Sequence, residues 1–339
     1  MVGLPSGEHL ASARRVVVNR PQLISPIDHV DEAQTLLEAG ADELYGGLLP
    51  AEWQQRFGLL ASLNQRTFAQ AQLQSFEELE EVVATAHRFG KPFSLTLNAP
   101  FYSRSQYPLV EELVTRAAEI GVAGVILADP GLLTQLHRRF PELEMHLSTL
   151  AHATNEASLR FFQRLGAGRA VIPRHLDTRA LTSLVTALPG MRLDAFVLVG
   201  KCPNTEGLCS FHHARQDRVW PCEICYAIEP FEGDGSALFD QARERQRSWG
   251  ESNRRHGCGL CALPALCRAG VYGLKLVGRG APTAMKQANL QLVGHFLDQV
   301  RESMDEHAYR RAARAAHARR FGSPCSANVC YYPEFCQGD

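Results

Sequence analysis

Apolar and polar positions in the first two hundred residues repeat one order: a short apolar run typical of a β-strand, a loop, an amphipathic helix and a turn that contains glycine. Glycine suits a helix end because a residue without a Cβ adopts positive φ readily. Seven such runs predict strands at 22–26, 43–47, 92–99, 124–131, 144–149, 169–174 and 193–199. Helices are predicted between them at 30–39, 76–89, 107–120, 132–140, 155–165 and 178–187.

An eighth apolar run, 273–279, follows a cysteine-rich insertion that begins directly after the seventh strand. Strands that alternate with helices form parallel sheets, and eight of them indicate a closed barrel rather than an open doubly wound sheet. No G-x-G-x-x-G motif follows the first strand, which disfavours a dinucleotide-binding sheet. The predicted fold is an α/β protein, a TIM-like (β/α)8 barrel with a cysteine-rich insertion after strand 7 and a C-terminal helical and cysteine-rich tail.

The domain organisation follows from the same pattern. A chain of 339 residues is long enough to bury one large core. We assign the barrel to residues 1–281, with the cysteine-rich insertion at 200–270 inside it. Residues 282–339 are predicted to pack on the barrel as a long helical stretch, 283–320, followed by the tail.

Charge and hydropathy exclude some classes of protein. The chain has 35 Lys and Arg against 36 Asp and Glu, so net charge gives no sign of a nucleic-acid or membrane-surface protein. A local basic run at 309–321 is predicted to be a solvated helix face. No apolar stretch reaches the roughly 20 residues of a membrane helix, and the N-terminus lacks signal-peptide features. We therefore expect a cytoplasmic protein, in which a disulfide framework is disfavoured.

Polar residues occur at the ends of the predicted strands, where the active face of such a barrel lies. Each of them alone fits a loop cap or a buried hydrogen bond, whereas their presence on one face predicts a pocket. They are Tyr45, Asn98, Asp129, His146, Ser148 and Arg174.

All ten cysteines lie between Cys202 and Cys336. Thiolates are soft ligands that select zinc, copper(I) or iron–sulfur clusters, and C-x2-C pairs suit zinc and clusters alike. No H-E-x-x-H or G-x-S-x-G motif indicates a zinc metalloprotease or a serine hydrolase. The spacings are C-x6-C at 202 and 209, C-x2-C at 222 and 225, C-x2-C-x5-C at 258, 261 and 267, and C-x4-C-x5-C at 325, 330 and 336.

The stretch DAFVLVGKCPNTEGLCSF, 194–211, resembles the signature of the collagenase-like peptidase family U32. The signature positions are occupied by Asp194, Phe196, Cys202, Gly207 and Cys209. The departures are Asp194 for the usual Glu, Val199 for a Gly and His212 for a Ser. Further family-like segments, among them GADELYGG, MHLSTLAHATN and CALPALCRAGVYGLKLVGR, extend the resemblance over roughly 22–280.

The resemblance implies a barrel with a cysteine-held 4Fe-4S cluster that serves oxygen-independent hydroxylation of RNA bases or ubiquinone precursors, in some members with prephenate as donor. It implies as ligands Cys202, Cys209, Cys222 or Cys225 or both, and Cys261. Relatives usually carry C-x3-C where this chain has C-x2-C, so the third ligand is left open. The tail cysteines Cys325, Cys330 and Cys336, with Cys258 or Cys267, are predicted to hold a second cluster, a zinc ion or no metal.

The sequence thus predicts an iron–sulfur enzyme that hydroxylates or similarly modifies a small molecule, a cofactor precursor or an RNA base. Asn98, Asp129, His146 and Arg174 are the predicted catalytic residues, which would orient a carboxylated or aromatic substrate, with His146 as proton carrier. Two alternatives are a peptidase and a non-catalytic, cluster-bearing protein that passes electrons to, or scaffolds, a partner enzyme in a hetero-oligomer.

Overall fold

The computed structural model describes residues 20–57, 62–66, 69–200, 202, 206–207, 229–231, 233, 235–248, 256–301, 305–327 and 329–336. Eight parallel strands close into a barrel in the order β1 to β8, with β8 paired to β1. The predicted TIM-like barrel is therefore confirmed. The strands are β1 Gln22–Pro26, β2 Glu43–Gly46, β3 Phe93–Leu97, β4 Gly124–Leu127, β5 Glu144–Leu147, β6 Arg169–Val171, β7 Arg192–Leu198 and β8 Gly273–Leu276.

Helices surround the barrel and cover the outward side chains of the strands, forming one large apolar core between the two layers. A second, smaller apolar group, Ile24, Tyr45 and Ile126, lies inside the barrel. The helices are α1 Glu32–Glu38, α2 Ala51–Phe57, α3 Phe76–Arg88, α4 Tyr107–Ile120, α5 Pro130–Arg139, α6 Glu156–Arg164, α7 Thr178–Ala187, α8 Ala237–Ser248, α9 Leu263–Ala269, α10 Thr283–Arg301 and α11 Glu306–Phe321.

The stretch predicted as one helical region at 283–320 forms two helices, α10 and α11. The second is capped by Asp305, whose carboxylate accepts hydrogen bonds from the backbone N–H groups of His307 and Ala308 at 3.1 and 3.2 Å. This cap satisfies donors that have no partner within the helix. Three helices were not predicted: α2 lies in the loop after β2, and α8 and α9 lie in the cysteine-rich insertion.

The C-terminal tail lies against the end of β7. Cys258, which precedes α9, pairs in antiparallel fashion with Leu198 and in parallel fashion with Cys330 of the tail. The phenol of Tyr331 donates to the carbonyl of Gly200 at 2.6 Å. The tail therefore contacts the residues that connect β7 to Cys202. No described helix combines the length and apolar character that a bilayer crossing requires. The division at residue 281 stays a prediction.

Candidate functional site

A cavity of about 160 Å³ opens at the C-terminal end of the barrel strands. Its walls come from the last inward-facing residues of the strands and from the loops that follow them, as the strand-end pattern predicted. The side chains that carry its chemistry are Tyr45, Arg66, Asn98, Ser148, Arg174, Glu206, Lys275 and Arg279.

Lys275 of β8 is a buried cation in this wall. Its Nζ lies 3.3 Å from the centre of the Tyr45 ring, a cation–π contact. Burial lowers the pKa of Lys275 to about 7, against the opposing effect of the Asp194 and Glu43 carboxylates, so the amine titrates near neutrality. A side chain of this kind can hold an anion and can release or take up a proton.

Arg279 is the second cation of the cavity wall. Its guanidinium donates to the Asn64 side-chain oxygen at 2.7 Å and to the Ala71 carbonyl at 2.9 and 3.0 Å. Burial and the nearby charge of Arg66 lower the pKa of Arg279 to about 10, which leaves it protonated at neutral pH. These bonds fix the position of the charge.

Arg174, in the loop after β6, forms an ion pair with Glu206 of the cysteine-containing loop. Its guanidinium also lies 4.4 Å from the centre of the Phe196 ring and donates to the carbonyl of Gly200. Burial lowers the pKa of Arg174, but the Glu206 carboxylate outweighs that effect and the pKa is raised. Among the described lining residues Glu206 is the one acid, and Arg174 neutralises it. The cavity is therefore net cationic and suits an anion.

The geometry at Gly207 gives a physical reason for the glycine at this position of the signature. Its φ is 91°, and a Cβ placed there would lie 2.4 Å from the carbonyl oxygen of Thr149. Both the left-handed backbone and the close approach exclude a side chain. The loop that carries Cys202 and Glu206 is thereby held against the rim of the cavity.

A charged layer lies inside the barrel around Arg169. The Arg169 guanidinium binds Asp194 at 2.8 Å and Glu43 at 2.7 Å, and it is almost fully buried with both partners. Burial raises the pKa of Glu43, but the positive charge of Arg169 lowers it. The net result is a pKa below the usual range of a glutamate. Asp194, the acid of the signature, is thus held by Arg169.

The four predicted catalytic residues occupy two kinds of position. Asn98 and Arg174 line the cavity, where Asn98 Nδ2 contacts Ser148 Oγ at 3.3 Å. Among the described groups, Asn98 Oδ1 is buried without a hydrogen-bond partner. His146 is buried on β5, with its ring 2.6 Å from the Glu144 carboxylate, and does not line the cavity.

Asp129 also lies outside the cavity lining. Its carboxylate caps α5 through the N–H groups of Gly131 and Leu132 and accepts from the Tyr102 N–H and the Tyr107 hydroxyl. Its contacts are those of a helix cap. The catalytic roles of Asn98, Asp129, His146 and Arg174 stay predictions.

The tail brings three cysteines together. The sulfurs of Cys325, Cys330 and Cys336, which we call the tail thiol group, all lie within 4.8 Å of one another. This group can hold a metal ion. Burial raises the pKa of the Cys258 thiol, and the nearby thiols of Cys261, Cys325 and Cys336 raise it further.

The other two described cysteines, Cys202 and Cys267, are not among the three residues of the tail thiol group. Cys202 is partly buried after β7, and Cys267 is buried in α9. Cys209, Cys222 and Cys225 lie outside the described residues. Cluster ligation by Cys202, Cys209, Cys222, Cys225 and Cys261 therefore stays a prediction.

Sequence reasoning did not single out Lys275, Arg279 or Glu206. Lys275 carried a signal that could have identified it: a lysine alternates with apolar residues in a short strand whose burial on both sides the barrel requires. Glu206 carried no comparable signal, because its partner Arg174 lies 32 positions away.

Comparison with known proteins agrees with the family resemblance of the signature. A sequence model of peptidase family U32 matches residues 28–330. The tRNA hydroxylation protein P of Escherichia coli is 27% identical over 190 residues, which are 56% of this chain and 39% of that protein. Its namesake from Helicobacter pylori strain J99 is 30% identical over 202 residues, 60% of this chain and 44% of the relative.

A third relative is the 23S rRNA 5-hydroxycytidine C2501 synthase of Escherichia coli, which is 23% identical over 307 residues. That alignment covers 88% of this chain and 42% of the synthase. The chain thus spans less than half the length of each of these three relatives.

Proposed function

The chain belongs to peptidase family U32, and from that membership we propose that it is an iron–sulfur enzyme that hydroxylates an RNA base without molecular oxygen. The observation that carries the proposal is the net cationic cavity at the barrel mouth, beside the cysteine-containing loop. Relatives named for tRNA hydroxylation and for 5-hydroxycytidine synthesis support the RNA base as substrate.

The cysteines fit a cluster by their chemistry. Soft thiol donors enter on the loop that begins at Cys202 and that Gly207 holds against the cavity rim. We propose as its four ligands Cys202, Cys209, one of Cys222 and Cys225, and Cys261. A cluster with four thiolate ligands supplies electron transfer.

The cavity residues would bind and orient the reactants. Hydroxylation replaces a C–H bond of the base by C–OH, so a donor must supply the oxygen atom and accept two electrons. A carboxylated donor suits Lys275 and Arg279. Among the described lining residues the only acid is Glu206, so the positive charges of the cavity exceed the negative ones. The orphaned Oδ1 of Asn98 can accept a hydrogen bond from an exocyclic amine or a hydroxyl.

The peptidase alternative finds no support in the cavity. Nucleophilic catalysis needs a nucleophile beside a base. Ser148 is a hydroxyl in the wall, and its described partners are the Asn98 amide and the Leu150 N–H rather than a histidine. No cysteine lies among the described lining residues.

Nucleoside mass spectrometry of total tRNA and rRNA tests the proposal. In cells that lack the chain, a nucleoside one oxygen atom heavier than its parent should disappear, and the wild-type gene should restore it. The variant with Cys202→Ser and Cys209→Ser should not restore it, whereas Cys267→Ser serves as the matched control and should. An unchanged nucleoside profile in the deletion strain would contradict the proposal.

A further inference from the structure

We propose that Cys258, Cys325, Cys330 and Cys336 form a tetrahedral zinc site that fastens the C-terminal tail to the end of β7. The site is separate from the proposed cluster and does not depend on the proposed function. The spacing of the sulfurs, the backbone that brings Cys258 to them and the contacts of the tail support this site.

The spacing of the tail thiol group favours a single metal ion. Four thiolates around one zinc at about 2.3 Å stand about 3.8 Å from each other. The three tail sulfurs lie within 4.8 Å of one another, close to that separation. A cubane cluster places each cysteine on a different iron atom and so holds the sulfurs farther apart.

Cys258 supplies the fourth thiol through its backbone. The Cys258 N–H donates to the Val329 carbonyl at 3.0 Å, and the Tyr331 N–H donates to the Cys258 carbonyl at 2.9 Å. These two bonds make Cys258 and Cys330 partners in a parallel bridge, with side chains on the same side about 4.8 Å apart at the backbone. Cys258 therefore faces the tail thiol group.

The Cys258 sulfur also sits in a turn that suits a metal ligand. The backbone N–H of Leu260 points at it, 3.5 Å away, in the sequence Cys-Gly-Leu-Cys. Such hydrogen bonds offset the charge of a metal-bound thiolate. Cys258 is 4% exposed, so water is largely excluded. Cys267 lies on α9, outside the backbone bridge that pairs Cys258 with Cys330.

The residues between the cysteines show what the metal would hold. The phenols of Tyr331 and Tyr332 donate to the carbonyls of Gly200 and Phe196, at 2.6 and 3.3 Å. The Glu334 carboxylate accepts from the N–H and the hydroxyl of Thr178 at the start of α7. The zinc would therefore buttress the backbone just before Cys202, at the cavity rim.

The purified full chain should contain about one zinc per molecule by elemental analysis, and that zinc should persist in the variant with Cys202→Ser and Cys209→Ser. Zinc should fall at least fivefold in Cys258→Ser and in Cys330→Ser, and should be unchanged in Cys261→Ser and in the control Cys267→Ser. Loss of zinc from the Cys202/Cys209 variant, or its retention in Cys258→Ser, would overturn the proposal. About eight irons per chain with matching sulfide would overturn it as well, in favour of a second cluster.

A measurement on the wild type avoids dependence on the folding of the variants. Cysteine alkylation, mapped by mass spectrometry, should spare the four proposed ligands until a chelator removes the zinc. Replacement of zinc by cobalt(II) should produce the intense visible absorption of a tetrahedral thiolate site. Equal alkylation of the four cysteines before and after chelation would overturn the proposal, whatever the outcome of the RNA experiment.

Discussion

The ammonium nitrogen of Lys275 on β8 lies 3.3 Å from the centre of the Tyr45 ring on β2, across the strand β1 that separates them. The contact holds a cation in the cavity wall while the phenol of Tyr45 is engaged elsewhere, donating to the Leu276 carbonyl at 2.8 Å. The aromatic face stabilises the charge without neutralising it. The ammonium group thus keeps its capacity to bind an anion.

Binding of an aromatic carboxylate such as phenylpyruvate should weaken as the pH rises through about 7, because the Lys275 pKa lies there and the neutral amine no longer attracts the anion. Lys275→Met should weaken binding about 10- to 100-fold, the effect of losing a charge-assisted hydrogen bond. Lys275→Arg should bind with no pH dependence between about pH 6 and 9, since guanidinium stays charged. Titration calorimetry across this range measures both, and Lys91→Met controls for the loss of a surface lysine. Binding by Lys275→Met as tight as that of the wild type would contradict the assignment of Lys275 as an anion-binding residue.

Arg169→Met should cost about 3–5 kcal/mol of stability, because Glu43 and Asp194 would remain buried without a counter-charge. Without Arg169 the folded-state pKa of Glu43 should rise above its unfolded value, and that of Asp194, which burial already raises, should rise further. The penalty should then be full at neutral pH and shrink as acid protonates them. Urea denaturation at pH 5 and pH 8 tests this. Arg192→Met, which removes a half-exposed ion pair to Glu144, should cost less than about 1 kcal/mol. Similar costs for the two variants would refute the expectation.

Gly207→Ala should displace the loop that carries Cys202, because its Cβ would meet the Thr149 carbonyl at 2.4 Å. Gly190 is the matched control: its φ is also positive, at 85°, but its Cβ would meet nothing closer than 4.0 Å. Gly190→Ala should cost only the backbone strain, about 1–2 kcal/mol, and leave iron content unchanged. Gly207→Ala should cost more and lower iron per chain. Iron analysis and thermal unfolding measure these two effects. Identical behaviour of the two variants would show that the close approach to the Thr149 carbonyl has no effect.

His146→Gln tests the predicted proton carrier. Glutamine can keep a hydrogen bond to the Glu144 carboxylate but cannot carry a proton near neutral pH. If His146 has the predicted role, kcat should fall about 10²- to 10⁴-fold while thermal unfolding changes little. A folded variant with unchanged kcat would show that His146 is not the proton carrier and serves only in the charged interior of the barrel.

Much of the fold was predictable from local sequence. The predicted bounds of β1, α4 and α7 agree with the structure residue for residue, because each has a clear apolar period and a defined end. Ser75 caps α3, whose start at residue 76 was predicted, and its hydroxyl accepts from the Glu78 N–H at 3.3 Å. The Glu78 carboxylate, however, accepts from the Gln74 N–H rather than that of Ser75, since the chain before the helix sets which donor it can reach.

By itself the sequence determined the alternation of strands and helices, the face on which a pocket would open, and the family signature from Asp194 to Cys209. These depend on short-range periodicity and on spacing, which a linear chain records directly. Only the tertiary structure decided that Asn98 and Arg174 line the cavity while His146 and Asp129 do not, and that Lys275 faces Tyr45.

Tertiary structure also decided that Cys258 meets Cys330, 72 positions further along the chain. Such pairs are set by barrel closure and by how the tail packs on β7, and no local pattern encodes them.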